Sequence, residues 1–475
     1  MSFQFEEHLV APRVLWNGRW HARDAVAAQA GAWAERLSSF AEQPASGSYA
    51  VALPHGPEGT ALFLAVLTTP AVPVLLSFDP DAWPYAAELR TGMALVLPPS
   101  LAELAPEAER RGYRPILLTH GHSDGGQLRA RVPGLVFLTS GSTGRPRPAY
   151  RTLRALDVNA WTRAQVLALP RGAGLAGGVP LSSGQGIVQL LTAIGLAGAF
   201  GWVSRLDHRQ VLDTIARPEF DCWWATPHLA DALGRCRLDG PAVAPRICLV
   251  SSPLAEGVFE RFRSRFGVPL RQAYSSTETG AVALDFGPAE SVVPGTVGHV
   301  LPGVEVRIGE RPDAAVGAGE VGLIWVKGPH RMEGYGMPPD VTLEGMRDGF
   351  LPTKDLAAMD ADGRLTLKGR IDDRVRTRDG RVVDLEVTNA ALRSIPGVTA
   401  AVVLPLEGAA GLTLAALIEC GEAISLDAIR ARLVAELPRW SLPRSLVTVP
   451  TLPRLANGKP DRVAALALLS GALPA

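Results

Sequence analysis

Lysine is nearly missing from this chain of 475 residues: Lys327, Lys354, Lys368 and Lys459 are the whole complement, and none precedes Lys327. Positive charge is carried instead by arginine. Cysteine is equally scarce. Cys222, Cys236, Cys248 and Cys420 show no C-x-x-C pairing, which argues against a disulfide framework or a zinc site and fits a reducing cytoplasm. The formal net charge is zero, which removes the electrostatic case for nucleic acid or an anionic membrane as partner. No apolar run is long and uninterrupted enough to span a bilayer. The nearest, residues 187–203, carries Gln189 and several glycines and fits a buried helix and strand. The first residues, MSFQFEEHLVAPR, hold acids and no apolar core, so they do not read as a signal peptide. No G-x-x-x-x-G-K-[ST] occurs, which excludes a Walker-type phosphate loop.

Some apparent signals also fall away. Gly172, Gly174 and Gly177 spell G-x-G-x-x-G, as do Gly317, Gly319 and Gly322, but neither set follows a strand and opens a helix. With 49 glycines such matches arise by chance, and a dinucleotide site is set aside. His120 and His122 stand in a Gly/Ser/Asp-rich turn and read as a solvated loop rather than a metal site.

What is present is a soluble globular composition, 47% hydrophobic and 20% charged, long enough for two or more domains. Residues 23–39 have the pattern of an amphipathic helix, and 59–69 of a second. The runs at 48–54, 72–77, 93–98 and 114–119 predict buried strands. Apolar runs of five or six residues separated by helical stretches imply parallel β/α units. A helix at 152–168, a strand, turn and helix over 220–233, a strand at 246–252 and a helix at 257–267 continue the pattern. From about 290, short strands between Pro/Gly turns predict a small β subdomain. The last hundred residues read as a separate small α/β unit. There Leu426, Ile429, Leu433, Val434 and Leu437 are expected on one helix face, with Ser425 as N-cap. The expected class is α/β: a large N-terminal domain of β/α layers with a β subdomain, 1–371, then a small mobile α+β domain, 372–475.

The stretch around which the chain is organised is Gly134 to Pro148. A buried-strand signal, Leu135-Val136-Phe137-Leu138, breaks into Thr139-Ser140-Gly141-Ser142-Thr143-Gly144. Small hydroxylated residues alternating with glycine build no core. They do build a loop whose N–H groups and hydroxyls converge on an anion. Arg145 and Arg147 add positive charge. Four further stretches stand in order behind it: Tyr274-Ser275-Ser276-Thr277-Glu278, Thr353-Lys354-Asp355, Gly369-Arg370-Ile371-Asp372-Asp373, and Leu452 to Arg462 with Lys459 in a glycine-containing hairpin.

These five motifs, in this order, resemble the core motifs of the adenylate-forming superfamily, over about residues 24 to 465. Acyl- and aryl-CoA ligases, peptide-synthetase adenylation domains and luciferases make up that superfamily. The resemblance implies attack of a carboxylate on the α-phosphorus of ATP with loss of pyrophosphate. It then implies transfer of the acyl group to the thiol of CoA or of a carrier protein's phosphopantetheine. Joining two anions needs positive charge and a metal. By the resemblance, Thr139, Ser140, Gly141, Ser142, Thr143 and Gly144 with Arg147 hold the outer phosphates. Glu278 holds Mg²⁺ with Thr277 near the α-phosphate, and Tyr274 lines the nucleotide. Asp355 accepts the ribose hydroxyls, having lone pairs for two donors. Arg370 binds near the ribose, Lys459 serves the first half-reaction, and Asp372 matches the hinge about which the small domain turns.

The sequence also departs from the family pattern. Arg147 replaces the usual lysine and keeps the charge. Lys354 replaces glycine in T-G-D, and Ser275 replaces glycine in Y-G-x-T-E. After the hinge, Arg376 and Asp379 stand where lysine and glycine are common, with Gly380 displaced by one. The span 172–206 holds no acid to pair an α-ammonium, so an α-amino acid is disfavoured. Matching to benzoate-type aryl-CoA ligases puts Trp224, Ser251, Ala273 and Ser275 around the acyl group. That implies a small, flat acid, a benzoate or substituted benzoate. Two other readings stay open: an adenylate-forming enzyme without a thioester step, such as one closing a hydroxy-acid ring, and a degenerate relative that only binds nucleotide or acyl ligand. A monomer or homodimer is expected.

Overall fold

The structure is a computed structural model. It describes residues 1–7, 9–41, 48–123, 127–139, 147–203, 207–236, 245–251, 254, 257–376, 381–408, 411–420, 424–454 and 460–472. The expected α/β class is what it shows, with parallel strands at the centre of two large sheets.

The first sheet takes its strands from Ser48–Leu53 (β1), Val72–Ser77 (β2), Ala94–Leu97 (β3), Gly134–Thr139 (β4) and Arg147–Thr152 (β5). β1 pairs in parallel with β2 and β3, and β2 with β4. β5 turns back antiparallel on β4, in a register that sets Thr139 opposite Arg147. The helix Leu153–Val166 (α1), capped by the Thr152 hydroxyl, then leads to the second sheet. Its strands include Gly174–Gly177 (β6), Ala199–Trp202 (β7), Phe220–Ala225 (β8), Ile247–Ser251 (β9), Leu270–Ser276 (β10) and Gly280–Leu284 (β11). Between them lie the helices Gly184–Gly195 (α2) and Pro227–Arg235 (α3), capped by Ser183 and Thr226. Strands β7, β6, β8, β9 and β10 run parallel, and β11 reverses. One of the two G-x-G-x-x-G matches is thus partly β6 itself.

The main core lies between these sheets. The helix Gly56–Leu67 runs there, and every residue from Gly59 to Leu67 in it is buried. A helix apolar all round needs apolar neighbours all round, and two flanking sheets supply them. α1 and α2 share the same core, through Leu153, Leu156, Ile187 and Leu191. The alternation in β8 sorts its tryptophans: Trp224 joins this inner core, while Trp223 packs on Phe262 on the opposite face.

The later segment Gly334–Met337 (β12) returns to pair with β5. Leu351–Met359 (β13) and Leu365–Arg370 (β14) belong to a four-stranded antiparallel sheet, which answers to the expected β subdomain. At the C-terminal end, a three-stranded sheet carries the helices Leu385–Ser394, Leu426–Glu436 and Arg462–Ala472. Ser425 caps the second of these, as expected. Its buried face is narrower than the sequence implied: Ile429, Leu433 and Leu437 are buried, while Leu426 and Val434 are exposed. The spacing of four fixes one stripe, and Val434 sits a helical step away from it.

One buried histidine ties the layers together. The His330 ring faces the Ala281 carbonyl at 2.9 Å through Nδ1 and the Thr162 hydroxyl at 3.4 Å through Nε2, and its carbonyl accepts from Arg151. Burial pushes its pKa down to about 4, despite the Ala281 bond, so the folded ring stays neutral. Below the ordinary histidine range the unfolded chain takes up a proton that the fold refuses. Stability should therefore fall from pH 6.5 to 4 by on the order of 3 kcal/mol from this group. His330→Asn keeps a donor for Ala281 and cannot titrate. Urea midpoints compared at pH 7 and 4.5 should show a smaller loss in the variant; equal losses would assign the pH dependence elsewhere.

Candidate active site

Parallel strands bring their C-terminal ends to one rim, where ligands bind in open α/β sheets. Thr139 ends β4, and Ala225, Ser251 and Ser276 end β8, β9 and β10. Of the glycine-rich loop, only its flanks are described: Ser140, Gly141, Ser142, Thr143, Gly144 and Arg145 lie outside the described residues, as does Lys459. At the flank, the Thr139 hydroxyl donates to the Arg147 carbonyl at 3.2 Å.

Two connected groups form on this rim. In the first, the Tyr335 hydroxyl donates to Glu278 Oε1 at 2.7 Å, and the Arg147 guanidinium lies 3.7 Å from the centre of the Tyr335 ring. The Glu278 carbonyl accepts the Met332 N–H at 2.7 Å, which fixes the turn after β10 against the segment leading to β12. Burial, with the Glu278 carboxylate beside it, pushes the Tyr335 phenol well above its ordinary range. It therefore remains a donor to that carboxylate. Arg147 reaches Glu344 only at 3.9 Å, between exposed side chains, a contact of little energetic weight.

In the second group, Asp355 on β13 is the hub. Tyr274 donates to its Oδ2 at 2.6 Å and Arg370 to its Oδ1 at 2.8 Å. Lys354 pairs with Asp372 at 2.9 Å, and Arg370 lies 4.0 Å from the same carboxylate. Among the described residues Asp355 thus has two side-chain donors, one on each oxygen, and each oxygen keeps a further lone pair. The groups adjoin through the end of β10, where Tyr274 of the second group stands four residues before Glu278 of the first. Thr277 and Ser275 are half-buried beside them, and Ala273 is buried opposite Ser251 in register.

Trp224 is buried, with the Arg163 guanidinium 4.6 Å from its ring centre. At the C-terminal end, Arg454 and Pro460, which flank the stretch holding Lys459, bridge as antiparallel partners. Arg454 also lies within electrostatic reach of His228 in the first turn of α3, just beyond β8. Among the described residues no three His, Cys, Asp or Glu side chains gather as a metal site. Glu278 is a single hard carboxylate, the donor type with which Mg²⁺ is held jointly with substrate phosphates.

Sequence reasoning missed Tyr335, Arg151 and Arg163. Tyr335 had a faint signal in Gly334-Tyr335-Gly336, whose glycines take φ of 158° and 121° as the hairpin presses against Thr342 and Asp340. The other two are arginines among many.

A profile of the family described as AMP-binding enzyme matches residues 4–336. The sulfoacetate–CoA ligase of Cupriavidus necator is 30% identical over 346 residues, 70% of this chain and 66% of that protein. The indoleacetate–CoA ligase of Aromatoleum aromaticum is 27% identical over 339 residues, again 70% and 66%. The chain thus spans just under two thirds of the length of these relatives. In fold it is similar to ATP-bound MatB from Rhodopseudomonas palustris, with a TM-score of 0.80 at 22% identity over 98% of this chain and 99% of that one. No helix among the described residues is long and apolar enough to cross a membrane.

The Tyr274–Asp355 bond anchors the second group from within the core. Tyr274→Phe preserves the ring and strips a buried carboxylate of one donor. Its urea-unfolding free energy should fall by about 1–3 kcal/mol. An unchanged midpoint would show that Arg370 alone holds Asp355.

Proposed function

The chain belongs to the AMP-binding enzyme family of the adenylate-forming superfamily, and on that premise we propose that it is an ATP-dependent acid–thiol ligase. It activates a small, flat carboxylic acid as the acyl-adenylate, releasing pyrophosphate. It then passes the acyl group to CoA or to a carrier-protein phosphopantetheine. The proposal rests chiefly on one observation: Glu278 with Tyr335 and Arg147, and Asp355 with Tyr274 and Arg370, adjoin on the rim where the parallel strands end. Relatives named as CoA ligases support the same reaction class.

Each residue has a chemical reason for its role. Arg147 and the loop from Thr139 to Gly144 take the outer phosphates, and the planar guanidinium suits a phosphate's paired oxygens. Glu278 holds Mg²⁺, with Tyr335 fixing the carboxylate rotamer. When bound, that ion neutralises charge that would otherwise repel the attacking carboxylate. Thr277 lies by the α-phosphate. Asp355 accepts ribose hydroxyls with the lone pairs left by Tyr274 and Arg370. Trp224, Ser251, Ala273 and Ser275 line the acyl side, where Trp224 offers a flat ring a wall worth about 0.5–1.5 kcal/mol beyond burial. Residues 1–371 form the adenylation domain and 372–475 a lid that turns at Asp372. A cytoplasmic location belongs to the same proposal.

Lys459 belongs to the first half-reaction only, because the lid that carries it must leave before the thiol enters. Lys459→Ala should slow acid-dependent pyrophosphate release by roughly 10²–10³-fold, the loss expected for a key transition-state charge. It should spare thioester formation from supplied acyl-adenylate. Equal loss in both assays would sink the alternation. A chain that releases pyrophosphate with no thiol requirement would belong to the adenylate-forming enzymes lacking a thioester step.

Arg147→Ala should raise the ATP concentration needed for half-maximal rate, and Arg147→Lys should do so less, because charge remains while the fork is lost. An unchanged ATP dependence in the alanine variant would detach this loop from the phosphates.

A further inference from the structure

Behind Trp224 lies a set of buried polar groups that the roles above do not use. Arg163, on α1, is 4% exposed, and no described carboxylate pairs with it; the nearby charge is a second cation, Arg151, and burial keeps the neighbouring Cys222 thiol neutral. Burial pulls its pKa down to about 9, which still leaves it a cation at neutral pH. Asn159, one turn earlier on the same helix, is 1% exposed, and Gln189 on α2 is 3% exposed. Gln185 stands one turn before Gln189.

The unmet hydrogen-bonding capacity of these side chains is one-sided. Arg163 Nη1, Gln189 Nε2, Gln185 Nε2, Asn159 Nδ2 and Trp224 Nε1 are buried donors without a partner, against only Gln185 Oε1 and Asn159 Oδ1 as buried acceptors without one. Buried polar groups are ordinarily paired, and an unpaired set asks what completes it. A surplus of donors around an uncompensated cation asks for an anion. The placement orders these groups from the rim inward. α1 and α2 both end where a parallel strand begins, α1 before β6 and α2 before β7. Asn159 and Gln185 therefore lie nearer the rim, and Arg163 and Gln189 deeper. Gly177 lets Gln189 lie flat on β6: a Cβ there would stand 2.2 Å from Gln189 Oε1. At the deep end a cavity of about 10 Å³ is bounded by Arg163, Gln189, Thr192 and Trp224, with Leu167, Leu169, Leu175 and Cys222 closing the rest of its wall. That is room for roughly one oxygen atom.

We propose that this lane reads the far end of the substrate, and that the acid activated here carries a second carboxylate which Arg163 receives beside Trp224. The inference rests on the carboxylate-activating reading and narrows its substrate class to diacids. A site of buried donors that loses its anion is left unpaired, so it should reject the analogue without one strongly.

The test uses acid-dependent pyrophosphate release from the whole chain. Isophthalate, terephthalate and the straight diacids from succinate to adipate are each compared with the monoacid in which methyl replaces the second carboxylate. At least one diacid should exceed its methyl partner in kcat/KM by roughly 10²-fold or more. Arg163→Met should erase or reverse that order while leaving the KM for ATP unchanged. Should Arg163→Met fail to fold by thermal melt, Arg163→Lys, which keeps the charge, should retain the diacid preference in weakened form. Monoacids activated better than every diacid by the wild-type protein would overturn this inference alone. So would a methionine variant that slows diacid and methyl partner equally. Pyrophosphate release with no acid at all would overturn the ligase reading, and this one with it.

Discussion

The rim depends on one buried cation. Arg151, on β5, is 1% exposed, and its Nη2 donates to the His330 carbonyl at 2.7 Å. A Cβ on Gly280 would stand 2.7 Å from that same nitrogen and 2.6 Å from the His330 carbonyl oxygen, and Gly280 takes φ of +67°. Glycine is therefore needed at the β10–β11 turn on two counts, space and backbone. Glu278, two residues earlier, adds the one charge that raises the Arg151 pKa, against a burial that pulls it down to about 10. The hairpin from β4 to β5, the turn that carries Glu278 and the segment that carries Tyr335 thus converge on one guanidinium. Removing it would leave a buried carbonyl unpaired and deprive Glu278 of a nearby counter-charge, a loss of a few kcal/mol by the usual cost of such groups.

How much of this was legible in the sequence differs by the kind of information each feature needs. Strand and helix signals were strong where burial is uniform. Residues 61–67, 49–53 and 72–76 are apolar without interruption because both faces of each element are covered. Short motifs placed Glu278, Asp355, Arg370 and Asp372 in order, and the structure brings them to one rim. Local pattern failed where a residue's role depends on distant chain. Tyr335 meets Glu278 across 57 residues of sequence, and Arg151 meets His330 across 179. Nothing within a helical turn of either residue announces such a partner. The helix at Leu426–Glu436 failed in the opposite direction: hydrophobic residues were present, but too few layers cover that small sheet to bury them all.

Arg163 was the least legible of all. In a chain where arginine has replaced lysine almost everywhere, one more arginine on a helix reads as a solvated face. Only the packing of α1 against α2 and β8 reveals that it is shielded from solvent and has no carboxylate partner among the described residues. Its partner in sequence terms, the absence of acids from 172 to 206, disfavours an α-ammonium. The same absence has a second meaning, since it also leaves this cation uncompensated from that side.

The energetics decide between a structural and a binding role for that cation. Its contact with the Trp224 ring contributes about 2 kcal/mol when desolvated. Burying an ion without a counter-ion costs several kcal/mol even after relaxation. Packing alone therefore runs at a loss, and a methionine of similar length would fill the space more stably in the empty protein. Proteins retain such deficits where a ligand later offsets them. The donors around Arg163 argue the same way. A carboxylate arriving among them needs little reorganisation, because α1, α2 and β8 already hold Asn159, Gln189 and Trp224 in the core. Stability given up in the empty protein thereby becomes discrimination in the filled one. The uncompensated cation is cheapest to explain as half of a pair whose other half arrives with the substrate.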